Sequence, residues 1–228
     1  MTTAPVTDAL VGRVVSLQVG LPQTLESPQG REWRTAIYKT PIEGRRVPLG
    51  PENFEGDYQA NRKYHGGPDK AVCVYAVEHY PDWRSLLDPT PMPFGAFGEN
   101  ITVEGLTEDL VCIGDVFTLG TARVQVSQPR QPCVNVSKRW NRPDLPGRIV
   151  EMGRTGFYLR VLEIGEVGTG DALTLVDRPH PGWTIQRANT LMYADDAPKD
   201  EIVSLSGLPT LSAEWKRMFG RKLAKTKD

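Results

Sequence analysis

No apolar run in this sequence approaches the ~20 residues that a membrane-spanning helix needs, so helical insertion into a bilayer is not expected. The opening stretch, MTTAPVTDALVGRVVSLQVG, lacks a basic start followed by a long apolar segment. No secretory signal is therefore expected, and the cytoplasm is the favoured location. Charge of one sign is missing as well. The 27 Lys and Arg residues against 28 Asp and Glu leave a net charge of −1, which argues against bulk attraction to a nucleic acid polymer or a membrane surface. Cysteine is scarce: three residues, Cys73, Cys112 and Cys133, with no CxxC. That argues against a disulfide framework and against a structural zinc site. HExxH, GxSxG and GxxxxGK[ST] are absent, and no glycine fingerprint follows a strand to open a helix. A zinc protease, a serine hydrolase and a P-loop nucleotidase are thus unsupported.

What is present reads as short strands punctuated by Gly and Pro. The 228 residues suit one medium domain with a small appendage. Gly12 to Gly20 alternates and is β-branched, and Arg34 to Thr40 is a second strand candidate. AVCVYAV is an uninterrupted apolar run, which predicts a strand buried on both faces. Asn100 to Leu106 is another strand. GDVFTLGTARVQVSQ predicts a hairpin turning at Leu119-Gly120-Thr121, and FYLRVLEIGEVGTGDALTLV predicts two strands around GEVGTGD. Helical insertions are expected over Val77 to Leu87 and Asp144 to Arg154. The pattern predicts a mainly β barrel or sandwich with helices, an α+β fold rather than a parallel α/β sheet, over residues 1–178.

Composition changes at VDRPHPGW, and residues 179–228 read as a three-helix subdomain. Thr184 is a candidate N-cap for the first helix. Gly207 is a candidate stop for the second. Ser212 can cap the third, where Trp215, Met218, Phe219 and Leu223 share a face. Three helices in so few residues bury little core alone, so they are expected to dock on the barrel or on a second copy.

Four segments carry candidate chemistry. Cys133 lies past a strand end in the stiff turn SQPRQPC, near Arg130 and Lys138. A core cysteine prefers apolar neighbours, so this one is a candidate nucleophile or metal ligand. Cys73 and Cys112 read as buried strand positions. In KYHGGPDKAV, Gly66 and Gly67 can form an anion-binding nest flanked by Lys63 and Lys70, with His65 at its entrance; the alternative is a tight turn with solvated lysines. In FGAFGEN, glycines permit close approach and Asn100 can donate and accept. Lys39 and Thr40 end a strand before Pro41 and can meet an anion. His79 and His180 read as structural or solvated.

The ordered segments HGGPDKAVCVY, FGENITVEGLTE, GDVF and VSQPRQPC resemble the MOSC domain, most closely its small bacterial YiiM type, and the helical tail is similar to the three-helix appendage of that type. The resemblance implies a MOSC-type β-barrel and a molybdenum cofactor, a pterin whose dithiolene holds the metal and whose chain ends in a phosphate; no pyridoxal phosphate is expected. It implies that Cys133 ligates molybdenum, with Lys39, Thr40, Gly66, Gly67, Lys70, Asn100 and Arg130 holding the cofactor and His65 joining Cys133 in the catalytic set. Lys39 and Thr40 match a Lys-Ser pair in the mitochondrial amidoxime-reducing branch, and Asn100 matches an asparagine there. That branch has Arg immediately before its cysteine. Here Pro132 takes that place, and Arg130 stands three before.

The implied activity is reduction of N-hydroxylated compounds, such as hydroxylaminopurine base analogues, as a detoxification. The sequence carries no flavin or iron–sulfur signature, so a separate flavoprotein electron donor is expected. The tail is expected to serve its docking or a homodimer. Two other readings stay open: a sulfur carrier or non-catalytic molybdopterin-binding module with a persulfide on Cys133, and a cysteine-dependent hydrolase or peroxidase using Cys133 and His65.

Overall fold

β1 (Val11–Val19) begins with exposed and buried residues in alternation, then breaks step at Val15, where its pairing slips between Val14 and Ser16. Such a bulge bends a strand and lets a sheet curl. The computed structural model describes residues 10–26, 30, 32–88 and 92–225. Its remaining strands are β2 (Gln23–Glu26), β3 (Glu32–Thr35), β4 (Thr40–Pro41), β5 (Val47–Leu49), β6 (Val72–Ala76), β7 (Ile101–Glu104), β8 (Val116–Leu119), β9 (Ala122–Pro129), β10 (Phe157–Glu163), β11 (Gly165–Val167) and β12 (Ala172–Asp177).

Seven of them close a barrel in the order β1-β12-β8-β9-β10-β6-β7, and β7 returns to β1. Only β6 and β7 run parallel; the other pairs in the ring are antiparallel. Closure removes the free edges that an open sheet would present. β6, the uninterrupted apolar run, is buried at all five positions.

The predicted hairpin forms as β8 and β9, turning at Gly120 with φ +58°. The single strand predicted over Arg34 to Thr40 does not. β3 stops at Thr35, and the Ile37 amide donates to its hydroxyl at 3.2 Å instead of to a neighbouring strand. Among the described residues β3 pairs only with β2, residues 36–39 belong to no strand, and β4 then pairs with β1 at Val19. The connector predicted inside GEVGTGD contributes a further strand, β11, paired with β5. Cys112 is buried but forms an isolated bridge to Thr184 rather than belonging to a strand.

Seven α-helices lie among the described residues: α1 (Arg62–His65), α2 (Tyr80–Leu87), α3 (Val134–Trp140), α4 (Leu145–Glu151), α5 (Ile185–Tyr193), α6 (Lys199–Ser206) and α7 (Ala213–Lys225). α2 follows a 3₁₀ turn at Val77–His79. In the tail, the Thr184 hydroxyl accepts from the Arg187 amide at 3.0 Å, and Ser212 accepts from Trp215 at 3.2 Å, so both predicted caps form. Gly207 ends α6, its amide bonding the Val203 carbonyl at 3.0 Å. One apolar cluster joins barrel residues such as Val126 and Phe157 to Ile185, Leu205, Trp215 and Phe219 of the tail. A second packs Tyr75, Trp83 and Phe97 against Val136, Leu145 and Ile149, and that one seats α3. No helix among the described residues is long and apolar enough to cross a membrane.

Candidate functional site

A cavity of about 530 Å³ opens where segments far apart in sequence converge. Its wall takes residues from the segment between β3 and β4, from 57–65, from Phe97 and Gly98, from β9 and the turn after it, and from Glu214 of α7. Lys39, His65, Lys70, Asn100, Arg130 and Cys133 all line it.

Cys133 is the residue that precedes α3, in an extended conformation, with its side chain partly exposed. α3 is pinned from below. Arg139 donates to the carbonyls of Ile37 (2.8 Å) and Gly95 (2.6 Å), and the Trp140 indole donates to Ala96 at 3.1 Å. The FGAFGEN segment is held in turn by Glu99, whose buried carboxylate accepts from the amides of Gly95 (2.8 Å) and Phe97 (3.0 Å) and from Tyr80. Gly95 and Gly98 adopt φ of +80° and +84°, conformations that disfavour any side chain. The loop's product is a fixed Phe97 carbonyl that takes one arm of Arg130.

Arg130 is 4% exposed, and its Nη1 has no partner. A guanidinium stays charged at any working pH, so the cavity wall holds a cation with an open donor. Two lysines of the wall already have partners. Lys39, nearly buried, pairs with Asp57. Lys70 donates to the Tyr64 carbonyl at 2.6 Å, pairs with Glu214 and lies 5.9 Å from the Tyr158 ring centre. Burial lowers the His65 pKa below 6.5; Lys70 and Arg130 lower it further, and Glu214 opposes them. His65 is therefore neutral at pH 7. Burial pushes the Cys73 thiol up to about 11, so it stays protonated, whereas Cys133 is the more open of the two.

Several expected residues fall elsewhere. Thr40 sits in β4 opposite Val19 with an exposed side chain and does not line the cavity. Gly66 and Gly67 do not line it either. A nest needs successive residues in opposite helical conformations. Gly66 is extended (φ −108°, ψ −176°), and its amide is spent on the Arg62 carbonyl at 3.0 Å. Asn100 does line the cavity, but its side chain also accepts from the Cys73 amide at 3.2 Å and donates to the Gln18 carbonyl at 3.3 Å, tying β6 to β1. His79 is buried on Glu108 at 2.7 Å, a structural pair.

The cavity also holds Asp57, Cys73, Gln128, Tyr158 and Glu214, which the sequence did not single out as site residues. Gln128 had a signal: it stands two residues before Arg130 at the end of a strand, where alternate residues share a face. Glu214 had none, because its place depends on how the tail docks.

Comparison with known proteins follows the same division. The MOSC domain matches residues 61–174, and the YiiM-like, 3-alpha helix domain matches residues 183–226. The chain is 48% identical over 209 residues to the protein YflK of Bacillus subtilis strain 168, covering 92% of this chain and 93% of that one. It is 34% identical over 198 residues to a protein of Gibberella moniliformis named a reductase, covering 86% of this chain and 35% of that protein. The crystal structure of YiiM from Geobacillus stearothermophilus superposes with a TM-score of 0.78 at 38% identity, covering 93% of this chain and 99% of that one.

Proposed function

The chain belongs to the MOSC family and carries the YiiM-type three-helix domain, and from that premise we propose that it is a molybdenum cofactor-dependent reductase of N-hydroxylated compounds. The family is associated with molybdenum cofactor binding, and one relative is named a reductase. The observation that carries the reading is the pairing, on one cavity, of an accessible thiol at Cys133 with a buried, half-satisfied guanidinium at Arg130.

The residues fit the group. Among the described residues, no three His, Cys, Asp or Glu side chains stand together as a metal site. A single soft thiolate suits a metal whose other ligands arrive with a cofactor. Arg130 Nη1 suits an anionic oxygen or sulfur. Cys133 would be the protein ligand, and Arg130 would hold the acidic part of the cofactor, with Lys70 beside it on the wall although paired with Glu214. When bound, the cofactor supplies a two-electron centre at which a hydroxylamino group, two electrons and two protons give an amine and water. His65, neutral and on the same wall, can accept a proton on one imidazole nitrogen and release one from the other. The electrons come from a separate flavoprotein. The substrates are hydroxylaminopurine-type base analogues and related hydroxylamines, and the benefit is detoxification.

The test is elemental and pterin analysis of protein made in a host that synthesises molybdopterin and is supplied with molybdate. Near-stoichiometric molybdenum in the wild type, lost in Cys133→Ala, is the expected result. Labile sulfane sulfur on Cys133 with neither molybdenum nor pterin would replace the reductase with the sulfur carrier.

A further inference from the structure

Arg130 Nη1 is not the only unpaired atom on the cavity. Gln128 Oε1 and Asp57 Oδ2 are also buried without a partner, and both residues line the wall. Asp57 is 2% exposed and Gln128 1%. Buried polar atoms are almost always paired, and an unpaired one is costly. Three on one cavity point to a ligand that brings the missing partners. Arg130 asks for an acceptor. The other two ask for donors.

Both acceptors are held in position by what their other atoms do. Asp57 Oδ1 takes the Gly20 amide at 2.9 Å and the Lys39 ammonium. Its main-chain carbonyl takes the Asn53 side-chain amide. The carboxylate cannot swing without breaking these bonds, so Oδ2 is a fixed acceptor. Its charge is already met by Lys39, so it needs no cationic ligand, only an N–H or O–H. Gln128 Nε2 donates to the Pro129 carbonyl at 3.4 Å, which leaves Oε1 as the unpaired acceptor.

We propose that Asp57 and Gln128 read the N–H edge of an amino-substituted nitrogen heterocycle in this cavity, while Arg130 takes an acceptor of the same or a neighbouring ligand. An exocyclic amine beside a ring nitrogen offers donors of that kind. Two ligands share this chemistry: the aminopyrimidine end of a pterin, and an aminopurine-type base. The pterin source rests on the molybdenum reading above; the base source rests on the cavity alone.

The experiment titrates the full chain, purified from a host that makes no molybdopterin, with two matched pairs of probes by calorimetry. Pterin is compared with lumazine, in which an oxo group replaces the amine. Adenine is compared with purine, which lacks it. The wild type is expected to prefer the amine-bearing member of at least one pair by about 10- to 100-fold, the range for a hydrogen bond to a charged group. In Asp57→Asn the side-chain oxygen stays with Gly20 and Lys39, the amide N–H₂ faces the ligand, and the preference is lost. Gln128→Leu is expected to reduce it, and carries the test should Asp57→Asn fail to fold.

Loss confined to the pterin pair assigns the site to the cofactor, and loss confined to the adenine pair assigns it to the substrate. Equal binding within both pairs by the wild type, or a preference that survives both substitutions, overturns the proposal. Failure of the reductase reading looks different. It is read from molybdenum content in the Cys133 comparison, with the adenine preference intact.

Discussion

Neutrality of His65 is set by its surroundings rather than by its own chemistry. Burial, Lys70 and Arg130 all disfavour its imidazolium, against a weaker pull from Glu214. A depressed folded pKa makes stability depend on pH with a definite sign. Above pH 6.5, folded and unfolded chains both carry neutral His65, and its contribution is fully present. Below 6.5 the unfolded chain takes up a proton that the folded chain refuses, so stability falls until pH drops through the folded value. Thermal melts between pH 7.5 and 5 should show this fall, and His65→Gln should flatten it; an unchanged slope would remove the assignment. At this scale the sequence was legible in which marked residues come together in space. Cys133, Arg130, His65, Lys39, Lys70 and Asn100 meet on one cavity. Thr40, Gly66 and Gly67 do not, because strand pairing and a helix end consume their backbone groups. Asp57 and Glu214 were invisible, since only long-range folding brings a turn aspartate and a tail glutamate to Lys39 and Lys70.

The elements that place Cys133 are short, and their rigidity comes from contacts across segments. α3 spans only Val134–Trp140, too short to be stable alone. Arg139 fastens it to Ile37 and Gly95, lying also 4.8 Å from the Tyr38 ring centre. Replacing it with Met leaves two carbonyls without that donor and should cost about 1.5–3 kcal/mol. The cost is measured as a lower urea midpoint. Because the same bonds fix the turn, Cys133 in Arg139→Met should also react faster with a thiol reagent than in the wild type. A midpoint drop with unchanged thiol reactivity would mean that the anchor serves stability alone. Strands with clear alternation or continuous apolar character, such as β1, β6 and the β8–β9 hairpin, were readable in advance. β4, β5 and β11 were not. They have two or three residues each, too few to express a period.

Barrel and tail share one packed core, although the sequence divides them at VDRPHPGW. The chain crosses that boundary by pairing rather than by a loose linker: Ile113 donates to the Trp183 carbonyl at 2.8 Å, and Ile185 donates to Val111 at 2.9 Å. Beyond it, the Ser212 amide reaches the Ser127 carbonyl of β9 at 3.0 Å, and Asn189 reaches Thr155 at 2.8 Å. Trp215 and Phe219 are fully buried, with ring centres 5.5 Å apart, in the cluster that fills the barrel. Glu214, next in sequence to Trp215, pairs with Lys70 on the cavity wall, so loss of the tail would open the site as well as the core. Shared core of this kind predicts one heat-capacity peak, with calorimetric and van't Hoff enthalpies equal. Truncating Trp215 to Ala should cost about 3–5 kcal/mol. For a chain of this size that is roughly 6–20 °C in Tm, and the single peak should move as a whole. A ligand bound in the cavity should raise the same peak by mass action. Two resolved transitions, with only one shifted by Trp215→Ala, would instead make the tail an independent domain and detach Glu214 from the site.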